Sequence, residues 1–273
     1  MTDPSTLAAI ARRLLAAQDD VRQLEPITAQ PGGFDIDAAY EVAHLIHAAR
    51  MADGAVPVGR KIGFTNALVQ SQYGVREPIW GFVYDTTVAT ATNQVHTCSL
   101  GRFAEPRIEP EIVVHFRSAP PAGGDLRAIL ACIDWVAHGF EIVQTHFPGW
   151  KFQAADTVAD SALHGTLLVG APQPVDRLGV DPVAALERFA LALSCNGAVR
   201  DTGTGRNVLG SPLAALAHLI AVLARQPQYR ALQAGEIVTT GTITSALPVR
   251  AGETWSTAPT GIALPGLSVE FVA

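Results

Sequence analysis

Three carboxylates offer the most specific chemistry in this sequence. Glu109 and Glu111, in Arg107-Ile108-Glu109-Pro110-Glu111, run directly into the apolar stretch Ile112 to Phe116. In an extended chain alternate side chains share a face, so both glutamates point one way where a strand begins. Two like charges that close need a cation between them. Hard oxygen donors suit Mg²⁺ or Mn²⁺, which keep positions for water and a chelating substrate. Glu141 opens a second apolar run, Glu141-Ile142-Val143, and is placed to add a third ligand from a neighbouring strand. The alternative for the first segment alone is a solvated acidic edge with Arg107 as a surface partner.

A second candidate is Gly59-Arg60-Lys61-Ile62-Gly63-Phe64-Thr65, where a basic residue lies between glycines that allow close approach to a ligand. A partly buried Lys61 could bind a carboxylate or help proton transfer, and the alternative is a surface charge at a strand edge. A third is Trp150-Lys151-Phe152 followed by Asp156-Thr157-Val158-Ala159-Asp160, where helix capping by Asp156 is the default reading. The glycine-rich stretch Thr202 to Gly210 has neither the dinucleotide-binding nor the Walker spacing, and reads as a turn before a helix capped by Ser211. His44 and His47 lack the zinc-protease arrangement and are read as non-ligands, and no Gly-x-Ser-x-Gly elbow occurs.

These residues need a frame of strands and covering helices. Apolar periodicity predicts helices over Thr6 to Ala17, Ile36 to Met51 (with Asp35 as N-cap), Leu126 to Trp135, Thr157 to His164, and Pro212 to Ala224. Short apolar runs predict strands at Gly81 to Tyr84, Ile112 to Phe116, Phe140 to Val143, Leu167 to Val169, Ala190 to Ser194, Ile237 to Thr240 and Leu267 to Val272. Strands outnumber helices without regular alternation, which points to an α+β fold rather than a doubly wound sheet. Pro110, between two proposed ligands, calls for an edge strand or a bend.

The chain has 273 residues, enough for a sizeable core, and 19 Lys and Arg against 25 Asp and Glu give a formal charge of −6. With no basic block, a dedicated nucleic-acid binder is excluded. The most apolar stretch, Leu213 to Ala224, is too short to span a bilayer, so no membrane partner is expected. Arg12 and Arg13 lie inside a helical pattern rather than ahead of a long apolar run, so no secretory signal is read and the expected location is cytoplasmic. Cys98, Cys132 and Cys195 are scattered and odd in number, as reduced core thiols would be.

Taken together, the segments Gly59 to Thr65, Glu77 to Gly81, Arg107 to Ile112, Phe140 to Val143, Trp150 to Phe152, Asp156 to Asp160, Asn196-Gly197, Val208 to Pro212, Thr239 to Thr244 and Gly266 to Val269 resemble one family. It is the 2-keto-4-pentenoate hydratase and 4-oxalocrotonate decarboxylase family, within the fumarylacetoacetate hydrolase superfamily. The resemblance implies a fumarylacetoacetate hydrolase C-terminal-domain-like fold. That fold has an irregular mixed β-sheet or β-roll core with covering helices, an N-terminal helical segment over 1–55 and a catalytic domain over 56–273. It also implies that Glu109, Glu111 and Glu141 hold Mg²⁺ or Mn²⁺, and that Lys61 sits near a 2-oxo-acid carboxylate. Lys61, with Asp160 or a water on the cation, would handle protons, and Arg107, Ser161 and Thr242 would contact substrate.

The implied activity is that of a lyase of aromatic meta-cleavage catabolism, hydrating a 2-hydroxypenta-2,4-dienoate. The alternatives are 4-oxalocrotonate decarboxylation, acylpyruvate C–C hydrolysis, and an inactive partner-binding homologue. A homo-oligomer, and association with a related lyase, are implied by the resemblance alone. Departures from the family pattern cluster near the expected pocket. Ile79 stands where hydratases commonly have Asp, as in the decarboxylases. Ser161 replaces an Asn, Leu163-His164 replaces a Ser pair, and His146 stands where an Arg is expected.

Overall fold

The computed structural model describes residues 3–73, 75, 77–91 and 95–273. Among these, seven α-helices and fourteen strands form. The helices are α1 (Pro4–Asp19), α2 (Ile36–Ala52), α3 (Ala67–Tyr73), α4 (Leu126–Ala131), α5 (Ala154–Ala159), α6 (Pro182–Arg188) and α7 (Pro212–Leu223). The strands up to residue 174 are β1 (Pro57–Gly63), β2 (Ile79–Tyr84), β3 (Val88–Thr90), β4 (His96–Ser99), β5 (Arg107–Phe116), β6 (Ile133–Val143), β7 (His164–Val169) and β8 (Gln173–Pro174). The rest are β9 (Ala190–Cys195), β10 (Ala198–Thr204), β11 (Ile237–Thr242), β12 (Leu247–Pro248), β13 (Thr254–Thr260) and β14 (Ser268–Val272).

A large mixed sheet runs β2-β1-β11-β5-β6-β7-β3, with β12 added to β5 and β8 to β6. A five-stranded sheet runs β10-β9-β13-β14-β4. The α+β expectation therefore holds, since most neighbours are antiparallel and helices do not alternate with strands. β5 and β6 form the spine of the large sheet, pairing in antiparallel register that sets Glu109 opposite Glu141 and Val113 opposite Ala137.

Helix α1 starts at Asp3, whose carboxylate accepts from the Ser5 and Thr6 amides, and α2 at Asp35, which accepts from Ala38 N at 2.9 Å. Both bury one apolar stripe. Ile10, Leu14, Val42 and Ile46 enter the same core as Ile62, Ile112 and Phe140, so the N-terminal helices pack on the sheets. Helix α7 has Pro212 at its first turn after Ser211, and buries Leu213, Leu216, Leu219 and Leu223. The stretch Gly205–Leu223 is long and apolar enough to cross a bilayer by length and composition, but half of it is buried inside the molecule. The cysteines are unpaired, Cys98 and Cys195 buried and Cys132 half-buried.

Four local expectations change. The helix expected to reach Trp135 stops at Ala131, because Ile133 onward pairs with β5 and the ladder outweighs helical periodicity. The helix expected over Thr157 to His164 starts earlier and ends at Ala159. Ser161, Ala162 and Leu163 take left-handed backbone (φ 52°, 53° and 63°) and His164 opens β7. The glycine-rich segment is only partly a turn, since Thr202 to Thr204 belongs to β10. A side chain at Gly203 would strike the Ile243 carbonyl, so packing requires glycine there. Finally, β5 is central, not an edge. The Pro110 carbonyl accepts from Ile243 N, so the missing N–H of Pro110 faces β11 where that strand slips register between Thr239 and Thr242.

Candidate active site

The strand periodicity puts Glu109 and Glu111 on one face of β5, and the β5–β6 register brings Glu141 beside them. One carboxylate oxygen from each lies within 4.8 Å of the other two, with Glu111 and Glu141 fully buried and Glu109 partly so. Across β11 stands Lys61 on β1, whose side chain is 3% exposed and whose Nζ is 3.3 Å from Glu141 Oε2. Lys61 Nζ also donates to the Ala162 carbonyl at 2.9 Å.

Each carboxylate is held differently. Glu111 Oε2 accepts from Gly241 N at 2.7 Å and from the Thr239 hydroxyl. This clamp requires the irregularity in β11. Gly241 has φ +101°, and a Cβ there would collide with the Thr65 hydroxyl. Glu141 Oε1 lies 2.7 Å from His164 Nδ1, and His164 Nε2 lies 2.9 Å from Thr87 Oγ1. Among the described residues Glu111 Oε1 is buried without a hydrogen-bond partner, and Glu141 Oε2 has the Lys61 ammonium as its contact.

The electrostatics follow from this crowding. Burial, reinforced by Glu141, pushes Glu109 up to about 7 against the pull of Lys61 and Arg107. Burial beside Glu141 and Glu109 raises Glu111 well above the usual carboxylate range. Burial would raise Glu141 too, but Lys61 and His164 outweigh it and hold it below its ordinary value. For Lys61 burial alone would lower the ammonium, yet Glu141, Glu109 and Glu111 together hold it above its ordinary value. Three buried carboxylates thus share one lysine. The unpartnered Glu111 oxygen and the excess of negative charge fit a divalent cation bound by Glu109, Glu111 and Glu141.

Lys61 and Glu109 border a narrow cavity of about 30 Å³, room for a water molecule with the side chains as they stand. Lys61, Glu109 and Thr242 line it, with an apolar wall of Val69, Ile79, Val143, Trp150 and Leu163. Thr242 donates its hydroxyl to the Thr244 carbonyl at 2.9 Å. Arg107 stands at the edge of this group: Nη1 donates to the Tyr73 hydroxyl at 2.8 Å and Cζ lies 4.0 Å from the Trp150 ring centroid.

Asp160 and Ser161 do not join the lining. Asp160 accepts from His146 N at 3.1 Å, lies 2.8 Å from His146 Nδ1, and receives Gln18 Nε2 at 3.0 Å. Ser161 Oγ accepts from the same Gln18 nitrogen at 3.1 Å. The three left-handed residues that follow cost about 1–2 kcal/mol each, yet their turn delivers the Ala162 carbonyl to Lys61. His47 is no ligand: Nδ1 lies 2.9 Å from the Tyr84 hydroxyl and the ring stacks on Phe82. The sequence assigns Tyr73 and Gln18 no role, and marks Thr239 and Gly241 only as part of the segment Thr239 to Thr244. The Thr-Thr-Gly-Thr run hinted at the latter two, and no local signal marks Gln18.

Comparison with known proteins agrees with this architecture. The chain is 30% identical over 265 residues to 2-keto-4-pentenoate hydratase 1 of Dechloromonas aromatica (strain RCB), covering 96% of this chain and 97% of that protein. It is 29% identical over 249 residues to a 4-oxalocrotonate decarboxylase of a Pseudomonas species, covering 90% and 91%. Its fold matches that of 4-oxalocrotonate decarboxylase from Pseudomonas putida G7, solved with magnesium and adipate, with a TM-score of 0.90. That match has 26% identity and covers 100% of this chain and 99% of the other. The model of the fumarylacetoacetate (FAA) hydrolase C-terminal family matches residues 52–264, from the end of α2 through β13 and so across all three glutamates and Lys61, and the chain belongs to that family.

Proposed function

We propose that this chain is a metal-dependent lyase that hydrates a short 2-hydroxy-2,4-dienoic acid of the 2-hydroxypenta-2,4-dienoate type to a 4-hydroxy-2-oxo acid. The observation that carries this reading is the cluster of three carboxylates beside Lys61, with Lys61 and Glu109 lining an apolar-walled cavity. Glu109, Glu111 and Glu141 would hold Mg²⁺ or Mn²⁺. When bound, the cation supplies Lewis-acid stabilisation of negative charge on the substrate's C2 oxygen.

Lys61 attracts the substrate carboxylate and carries a proton beside it, held by the Ala162 carbonyl so that Nζ faces the cavity. In the first half-reaction the C2 hydroxyl loses its proton and C5 gains one, giving the 2-oxo-3-enoate. In the second, water adds across the remaining double bond, with hydroxyl to C4 and hydrogen to C3. Val69, Ile79, Val143 and Leu163 fit the hydrocarbon end of such a molecule and limit bulk water. Thr242 supports the polar end from the lining, and Arg107 adds positive charge near the Tyr73 and Trp150 edge. Asp160 and Ser161 act through the turn they anchor rather than on substrate.

A second reading, decarboxylation of a 2-oxo-3-enedioate, is favoured by Ile79, since an aliphatic wall there offers no acid or base to the distal carbons. The family-model match from residue 52 onward supports a division into an N-terminal helical segment, 1–55, and a catalytic part, 56–273. A cytoplasmic homo-oligomer, with a related lyase as an associate, is the assembly that the resemblance supports.

The test is turnover of 2-hydroxypenta-2,4-dienoate, 2-oxohex-3-enedioate and an acylpyruvate with Mg²⁺ or Mn²⁺, then with chelator, for wild type and Glu109→Ala. Metal-dependent hydration of the first substrate, lost in the variant, is the expected result. Preference for the second substrate selects decarboxylation and preference for the third selects hydrolysis. No turnover of any substrate overturns the enzymatic reading in favour of a partner-binding homologue.

A further inference from the structure

Helix α1 ends against the turn that follows α5. In its last turn Gln18 donates from Nε2 to Asp160 Oδ1 at 3.0 Å and to Ser161 Oγ at 3.1 Å, while its Oε1 accepts from Arg50 Nη2 of α2 at 3.1 Å. Arg50 is itself paired through Nη1 with Asp19 at 2.7 Å. Both ends of one amide are therefore used. It joins the N-terminal helices to the two residues where the chain leaves α5 and turns left-handed.

The next three residues each touch the site. Ala162 offers its carbonyl to Lys61 Nζ at 2.9 Å, Leu163 forms part of the cavity wall, and His164 meets Glu141 at 2.7 Å. Non-glycine residues do not hold a left-handed backbone unaided, so the surroundings must fix this turn. Asp160 is gripped on one side by His146 through the backbone amide and the ring. Gln18 closes the other side, and is the residue that ties the Asp160 carboxylate to the Ser161 hydroxyl.

We propose that Gln18 is a positioning residue for Lys61, acting through the turn over 161–163. This rests on the reading that Lys61 moves the proton in the cavity. Without the two donated hydrogen bonds, Asp160 keeps His146 and the fold survives. Ser161 is released, the Ala162 carbonyl shifts, and Lys61 swings toward Glu141 alone. The consequence falls on the rate of the chemical step rather than on substrate binding, so Gln18→Leu lowers kcat by about tenfold with KM little changed.

The chain contains two lysines, Lys61 and the exposed Lys151, so lysine labelled with ¹⁵N at Nζ gives a two-signal NMR spectrum that Lys151→Arg assigns. In Gln18→Leu the Lys61 signal moves and exchanges faster with solvent, while the Lys151 signal stays. Gln18→Glu, which keeps an acceptor for Arg50 but removes both donors, gives the same shift and serves if the leucine variant does not fold. Leu14→Ala, a core change in the same helix, loosens α1 without touching the amide and leaves the Lys61 signal in place. An unchanged Lys61 signal in both Gln18 variants, or an equal shift in Leu14→Ala, overturns the positioning role. Because this readout needs no substrate, it stands apart from the parent reading, which fails if Lys61→Met retains the wild-type kcat.

Discussion

Arg60 and Lys61 are consecutive residues of β1, both cationic and both buried, yet they sit on opposite faces of the strand in opposite electrostatic company. Arg60 has one carboxylate partner, Glu236 at 3.2 Å, and lays its guanidinium over the Phe82 ring at 4.2 Å and the Trp80 ring at 5.6 Å. Lys61 faces three carboxylates and a narrow cavity. One face matches its cation with a single carboxylate and aromatic packing, whereas the other carries surplus negative charge. A buried charge that is matched one for one is structural by default, and a buried excess marks a place where something else must bind.

Removing one of the three carboxylates has the largest expected effect. Glu111→Gln takes away the carboxylate that Thr239 and Gly241 orient, and Mg²⁺ affinity measured by calorimetry falls at least about 100-fold, with turnover lost at micromolar metal. Exchanging the two cations for methionine sharpens the contrast. Lys61→Met lowers kcat by about 10²–10⁴ with a folded chain. Arg60→Met instead costs about 3 kcal/mol in urea unfolding, by leaving Glu236 unpaired, and the folded fraction keeps its kcat.

The pH dependence of the metal-free chain separates the faces more gently. The pKa of Glu109 is raised to about 7 in the folded chain from an ordinary 4.5, so the folded state favours its protonated form. That contribution to stability is complete below about 4.5 and is lost as pH rises through about 7. Thermal midpoints without metal fall across that window, and Mg²⁺ flattens the dependence by favouring the ionised form. The smallest effect is expected at Thr87→Val, which removes the hydroxyl behind His164 and weakens Mg²⁺ binding about tenfold.

Much of this frame was legible in the sequence, for reasons specific to each element. The two-residue period of a strand fixes Glu109 and Glu111 on one face whatever the tertiary structure, and apolar runs on either side mark β5 and β6. Capping residues Asp35 and Ser211 locate α2 and α7. The boundary errors arise where pairing overrides periodicity, as at Ile133. The left-handed turn over 161–163 had no glycine or asparagine to announce it, because it is stabilised by Gln18 and His146 rather than by its own residues. Nor could Asp160 be told from a pocket acid, since its partners come from α1 and from the segment after β6.

A single divalent cation would balance the surplus of carboxylates beside Lys61. Electron paramagnetic resonance of Mn²⁺ titrated into the purified chain tests it directly, because free Mn²⁺ gives a sharp six-line signal that binding removes. The expected result is one Mn²⁺ taken up per chain, competed by Mg²⁺ and lost in both Glu109→Gln and Glu111→Gln, with Arg60→Met binding as wild type does. Full-strength free Mn²⁺ in the wild type, or uptake unchanged in the glutamate variants, would contradict it.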